Sequence, residues 1–300
     1  MTTLTMGTQA GEHLVSEFHP SHNREAVTVL SGQNLDAGQV IGRVTKALSA
    51  APIPTIVGTG TGLMSALNCG PDVQTGSYVI TLLATSATAA FSVVAPDGTV
   101  LPNGAVGTAY TSRHISFLIS DGGTMTIGDA YTVVVTAGGT PVLVGTGTGV
   151  VSGLSLGPDA MNGAYRVQLL ATSATAEFEV IAPDGTKLKR GQVATAYASS
   201  HVNFTLANGG TMTSGDYFLI VVAKGSEKVV TLTPGTYDGR NVAYGVLHDA
   251  VDASAADAPG VALVRGPAIV ESAALDWGSL TTAEQATAKQ QLAAAGIVCR

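Results

Sequence analysis

The chain has 300 residues, 45% apolar but only 12% charged, with 37 glycines and few aromatics; since one core usually serves about 100 to 150 residues, two or three units are expected. A formal charge of −7 leaves no basic surface able to release counterions from a phosphate backbone, so no nucleic-acid partner is expected. No apolar run approaches the roughly 20 residues that span a bilayer, and Met1–Ala10 has neither a basic start nor an apolar stretch, so neither a membrane partner nor secretion is expected.

From the front, Met1–Gly11 is polar, threonine-rich and without core-forming periodicity. Such a segment should be mobile by itself, and its threonines suit pairing with an exposed sheet edge; the plainer alternative is a frayed terminus. Ala26–Leu30 and Gln39–Val44 then read as strands, separated by a Gly-containing turn at Ser31–Asn34.

The middle of the chain is an internal repeat. Pro54–Thr136 aligns without gaps to Pro141–Ala223, with identity at roughly half the positions. Val57–Gly62 recurs as Val144–Gly149, Ala84–Ala89 as Ala171–Ala176, and Ala95–Thr99 as Ala182–Thr186. Period-two alternation marks strands at Tyr78, Ile80, Leu82; Phe91, Val93; Ile115, Phe117, Ile119; and Tyr131, Val133, Val135. The second copy repeats them at Tyr165, Val167, Leu169; Phe178, Val180; Val202, Phe204, Leu206; and Phe218, Ile220, Val222. Between these core-facing positions charge is gained, Val79 becoming Arg166 and Ala90 becoming Glu177, where burial would not penalise it. Each copy therefore reads as a small all-β, sandwich-like module, with Pro-Asp-Gly turns at Pro96–Gly98 and Pro183–Gly185.

The rear flank supplies strand candidates at Lys228–Leu232, Ala243–Leu247 and Val261–Arg265. Thr281 with Glu284 three residues later is a capping box, predicting an Ala-rich helix to about Ala295, stopped by Gly296 and followed by a short tail. Neither flank holds enough apolar residues for a core of its own. The chain is therefore expected to be α+β and mostly β, with a small mixed core from residues 1–50 plus 226–300 and inserted β-modules at 51–138 and 139–225. Ala47–Pro54 and Ala223–Glu227 are the expected hinges.

Chemistry-bearing residues are sparse, and no enzyme is expected. Cys69 and Cys299 fall in different units and should remain reduced. His19 and His22 flank Pro20 without a completing ligand set, so neither a metal nor another cofactor is expected. His114 and His201 occupy equivalent strand positions and read as solvated or locally hydrogen-bonded; Asp97, Asp184, Asp129 and Asp216 read as turn residues. The Gly58–Gly62 and Gly145–Gly149 runs lack the Lys-Ser/Thr ending of a phosphate loop, Ser86 and Ser173 lack a nucleophile elbow, and Trp277 reads as a packing anchor.

Several blocks, in order, carry a resemblance. Glu17–Val29, Ser31–Leu35 and Ala37–Val44, then Gly245–Ala253, Val264–Gly266 and Leu280–Arg300, resemble the lambda-type phage head decoration protein family. The resemblance implies a virion protein made in the host cytoplasm. It would sit as a homotrimer on the outer capsid surface, bind the major capsid protein and stabilise the shell. It also implies an N-terminal arm, here Thr2, Thr3, Leu4, Thr5, Met6 and Thr8, that orders on the capsid. The chain departs from that pattern by carrying two inserted modules. An alternative reading makes the modules an adhesion or glycan-binding device displayed through the core, with Tyr110 and Tyr197 as matched candidate ligand contacts.

Overall fold

A computed structural model of the chain describes residues 9–49, 53–138, 141 and 143–300. The chain is α+β and mostly β, and its residues divide into two compact units. One combines the described residues through Thr45 with Ser226–Arg300; the other is formed from Lys46–Gly225.

In the first unit, front and rear strands interleave in a closed barrel. Its order is Arg24–Val29, Val229–Thr231, Val40–Arg43, Ala243–Leu247, Ala258–Leu263 and back to Arg24–Val29. Arg24–Val29 runs antiparallel to Ala258–Leu263, from Arg24↔Leu263 to Val29↔Ala258, and Val40–Arg43 lies between two rear strands. Val40–Ile41 and Val246–Leu247 read as apolar runs because both faces of the barrel wall are covered there. Val40, Val246 and Leu263 pack with Leu275, Leu280, Leu292 and Ile297, whereas their chain neighbours Ile41, Leu247 and Ala262 pack with Val29, Leu35 and Val229.

The closing helix spans Thr282–Ala294, and both halves of the capping box form at its start. Ala288 and Leu292 are its buried side chains. Gly296, at φ +82°, stops it, and its backbone passes so near Gly266 that a Cβ on Gly266 would lie 1.9 Å from the Gly296 carbonyl oxygen. The tail beyond is not loose: Ile297–Cys299 is a strand, pairing in parallel with Ala268–Val270, whose other side pairs with Leu14–Glu17. Burial of Ile297 at the end of the helix supplies the reason.

Each copy in the second unit is built of two sheets sharing one core. In the first copy a five-stranded sheet runs Val100–Ala105, Ala90–Val94, Gly76–Leu82, Ala130–Val135 and Ile53–Val57, facing a three-stranded sheet of Tyr110–Thr111, Ile115–Ser120 and Leu63–Cys69. All the alternating positions named from sequence are buried in both copies. Residues 47–49 and 223–224 of the expected hinges are strand-paired inside this unit. Lys46–Ser49 is a strand paired antiparallel with Tyr217–Lys224, from Val221↔Ser49 to Lys224↔Lys46, and Leu48 packs on the second copy's core. Residues 50–52 lie outside the described residues.

The copies differ informatively at a strand irregularity, at Ala66, and at a turn, at Ala194. Ala66 and Ala194 adopt φ of +51° and +64°, while their equivalents in the other copy, Gly153 and Gly107, hold the same left-handed conformation without a side chain. An L-residue is disfavoured there by about 1 kcal/mol, partly offset by glycine's greater freedom in the unfolded chain. The double change Ala66→Gly with Ala194→Gly is expected to raise stability by about 1 kcal/mol, read as a higher urea midpoint.

Candidate functional site

The barrel carries a small outward sheet at the start of the described chain. Leu14–Glu17 forms one edge, Ala268–Val270 the centre and Ile297–Cys299 the other edge. Leu14, Ala268, Val270 and Ile297 turn inward to the core. Their neighbours do not: Val15 is 56% exposed, Val298 48%, and Phe18, just past the strand, 73%. Ile269 pairs with Val298 across the sheet, and an irregularity between Leu14 and Ser16 places Val15 on the same outward side. The result is an apolar strip beside an edge strand with no further partner among the described residues. Exposed apolar patches and open strand edges mark association surfaces.

The sheet is held in place from behind. The Gly11 N–H donates to the His248 carbonyl, the Glu271 N–H to the His13 carbonyl, and the Phe18 N–H to the Pro267 carbonyl. Glu17 pairs with Arg24 at 2.5 Å. His13 is fully buried, and neither ring nitrogen has a partner. Burial first, then the nearby His248 and Arg24 charges, lowers its pKa from 6.5 to about 4. His248, with its ring centroid 6.2 Å away, pairs instead with Asp249. The ring of His13 is thus kept neutral at the root of the N-terminal segment. Of the named arm residues, Thr2, Thr3, Leu4, Thr5, Met6 and Thr8 all lie outside the described residues.

Elsewhere, candidate residues serve the fold. Tyr110 and Tyr197 are 5% and 3% exposed, packed against Phe117 and Phe204 with ring centroids 4.8 and 4.9 Å apart; the Tyr197 hydroxyl donates to the Lys189 carbonyl. His114 and His201 each meet a buried tyrosine hydroxyl, of Tyr78 and Tyr165, at 3.3 and 3.2 Å. Asp97 and Asp184 accept turn N–H groups from Thr99 and Thr186. Cys69 is a buried free thiol whose pKa is pushed up to about 12 by that burial. The Trp277 indole donates to the Ser272 carbonyl beside the barrel core.

Asp129 and Asp216 do more than make a turn. Asp216 accepts the N–H groups of Thr146 and Gly147, and Asp129 that of Thr59, so each carboxylate anchors its copy's Gly-Thr-Gly-Thr-Gly run. A Cβ on Gly145 would lie 2.1 Å from the Asp216 carboxylate, which explains why glycine stands there. Joint retention of run and carboxylate in both copies was the sequence signal for this coupling. Val15, Phe18, Ile269 and Val298 were not singled out from sequence; the one available signal was a phenylalanine among polar residues outside any alternating pattern.

Among the described residues there is no grouping of three or more His, Cys, Asp or Glu able to hold a metal, and no helix long and apolar enough to cross a membrane. No curated protein matches the chain. One similar solved structure is FlgL of Xanthomonas campestris, 16% identical over 31% of this chain and 32% of that one, at a TM-score of 0.25. The chain thus spans about a third of that protein's length. The family model of the Bacteriophage lambda head decoration protein D matches residues 3–297, inserted copies included. The chain belongs to the family of the phage lambda head decoration protein, structural components of the phage capsid.

Proposed function

We propose that the chain is a cement for the outer capsid surface, binding the major capsid protein as a homotrimer and stabilising the shell, without turnover. Its core would be the barrel unit, which carries the modules at 51–138 and 139–225 as insertions. The observation behind this reading is the apolar strip of Val15, Phe18, Ile269 and Val298 beside the open Leu14–Glu17 edge. Residues 1–8 precede that edge strand in the sequence by five residues, so strand addition by a capsid segment, or by the arm upon the capsid, would continue the sheet. Burial of Phe18 and Val15 on docking would supply the apolar area, and Thr2–Thr8 the backbone pairing. The net charge of −7 favours a protein surface over nucleic acid.

Changing Phe18→Asp together with Val15→Asp is expected to weaken co-sedimentation with purified capsids by at least about a hundredfold, since central apolar anchors dominate such interfaces. Both side chains are exposed, so the fold should be retained. Unchanged binding by a folded double variant would remove this surface from the interface.

A further inference from the structure

The two inserted copies pack on each other within their unit. Ala164, Leu219, Val221 and Ala223 of the second copy join the buried cluster of the first. Beside this seam lies an open cleft of about 410 Å³, with Ala66, Leu67 and Asn68 on one wall and Arg166, Pro183 and Tyr217 on the other. That volume is within the usual range for a small-molecule site, about 300 to 1,000 Å³.

Arg166 sets the chemistry of the cleft. Its guanidinium carbon lies 4.1 Å from the centroid of the Tyr217 ring, a stacking that fixes the plane of the fork. Among the described residues no carboxylate forms an ion pair with it, whereas two other cations gained in the second copy are paired, Lys187 with Glu179 at 3.1 Å and Arg190 with Glu177 at 3.3 Å. The equivalents of Arg166 and Tyr217 in the first copy are Val79 and Ala130, so the stacked pair exists only where one copy faces the other. Ala66, in its strained left-handed conformation, is on the opposite wall, and strain of that kind clusters at ligand sites.

A second cleft on the seam, with Asp72, Asp97, His114 and Lys224, differs in kind. Its carboxylates are already engaged, Asp72 by Arg113 and Asp97 by Gln74.

We infer that the Arg166 cleft binds a carboxylate-bearing sugar of the uronic-acid class. The fork would take the carboxylate through two parallel N–H···O bonds, while Leu67, Ile181 and Pro183 offer apolar surface to the ring face. Asn68 already accepts the Cys69 N–H through Oδ1, leaving its Nδ2 as a donor for a sugar hydroxyl. A cleft this short suits one or two pyranose rings better than an extended acidic peptide. The inference is independent of capsid binding, because the free chain is what is tested.

The full chain would be titrated by calorimetry with an oligogalacturonate, a neutral oligosaccharide of equal length and a glutamate-rich peptide. Saturable binding of the oligogalacturonate alone, weakened at least about tenfold by Arg166→Gln, is the expected result. Arg166→Val, which restores the residue of the first copy, should do the same with the thermal midpoint unchanged, since Arg166 is exposed. Absence of oligogalacturonate binding, equal binding of the neutral sugar, preference for the peptide, or undiminished binding by both variants would each overturn the inference.

Discussion

Replacing Val221 by aspartate is expected to destabilise the inserted unit by about 3 to 5 kcal/mol, because a carboxylate would be buried with no cation to meet it. Val221 is fully buried in the Tyr217–Lys224 strand, both faces of which are covered. Phe218, Ile220 and Val222 point into the second copy's core, while Leu219, Val221 and Ala223 enter the first copy's cluster. The control is built into the repeat. Val134, at the equivalent position of the first copy, is 39% exposed, so Val134→Asp should cost no more than about 0.5 kcal/mol. Urea midpoints of the two variants give the comparison; equal losses would mean that the seam does not bury Val221 in solution.

Lowering the pH is expected to destabilise the barrel unit through His13. Its folded pKa is about 4 against 6.5 for the free side chain. The unfolded chain therefore binds the proton first: the stability contributed by the neutral buried ring is complete above pH 6.5 and is lost as pH falls towards 4. The loss over that window is about 3 kcal/mol. Carboxylates also titrate near the lower end, so the informative quantity is the difference between the parent chain and His13→Leu, which has no proton to take up. The pH dependence of the parent should be steeper between about pH 6.5 and pH 4. Parallel curves would show that His13 is solvated or partnered in solution. The Gly11–Glu17 segment is the part of the barrel unit most directly tied to this ring, so acid should loosen the Leu14–Glu17 edge first, visible as faster amide exchange there.

Much of this architecture is legible in the amino-acid order. Alternation at Tyr78, Ile80 and Leu82, and at Tyr165, Val167 and Leu169, identifies half-covered strands because a one-residue slip would turn every large side chain to water. Thr281 and Glu284 mark the helix start through local hydrogen bonds alone. Less legible are the non-local pairings. Nothing in Lys46-Ala47-Leu48-Ser49 announces that its partner lies at Val221–Lys224, and Ile297–Cys299 is too short for any periodicity to register. The seam could have been read. Phe218 to Ala223 is uninterrupted apolar sequence, whereas its counterpart Tyr131 to Thr136 is broken by Thr132 and Thr136, and two-sided burial is the physical meaning of that difference. At the candidate surface, sequence alone cannot separate an exposed Phe18 from a buried Tyr110. Both are aromatics beside short strands, and exposure is decided by a neighbouring sheet distant in the chain.

On the proposed function the interleaved barrel, and not the inserted unit, would grip the capsid. The Glu227 N–H donates to the Val44 carbonyl at 2.9 Å and the Val44 N–H to the Lys228 carbonyl at 3.0 Å, so a short Gly-Ser linker can replace Lys46–Gly225 without opening the barrel. Sedimentation of this minimal chain with purified expanded capsids, beside the full chain, is the direct measurement. Saturable binding at a stoichiometry equal to that of the full chain is expected. Loss of binding by a folded minimal chain, with retention by Lys46–Gly225 alone, would contradict the account.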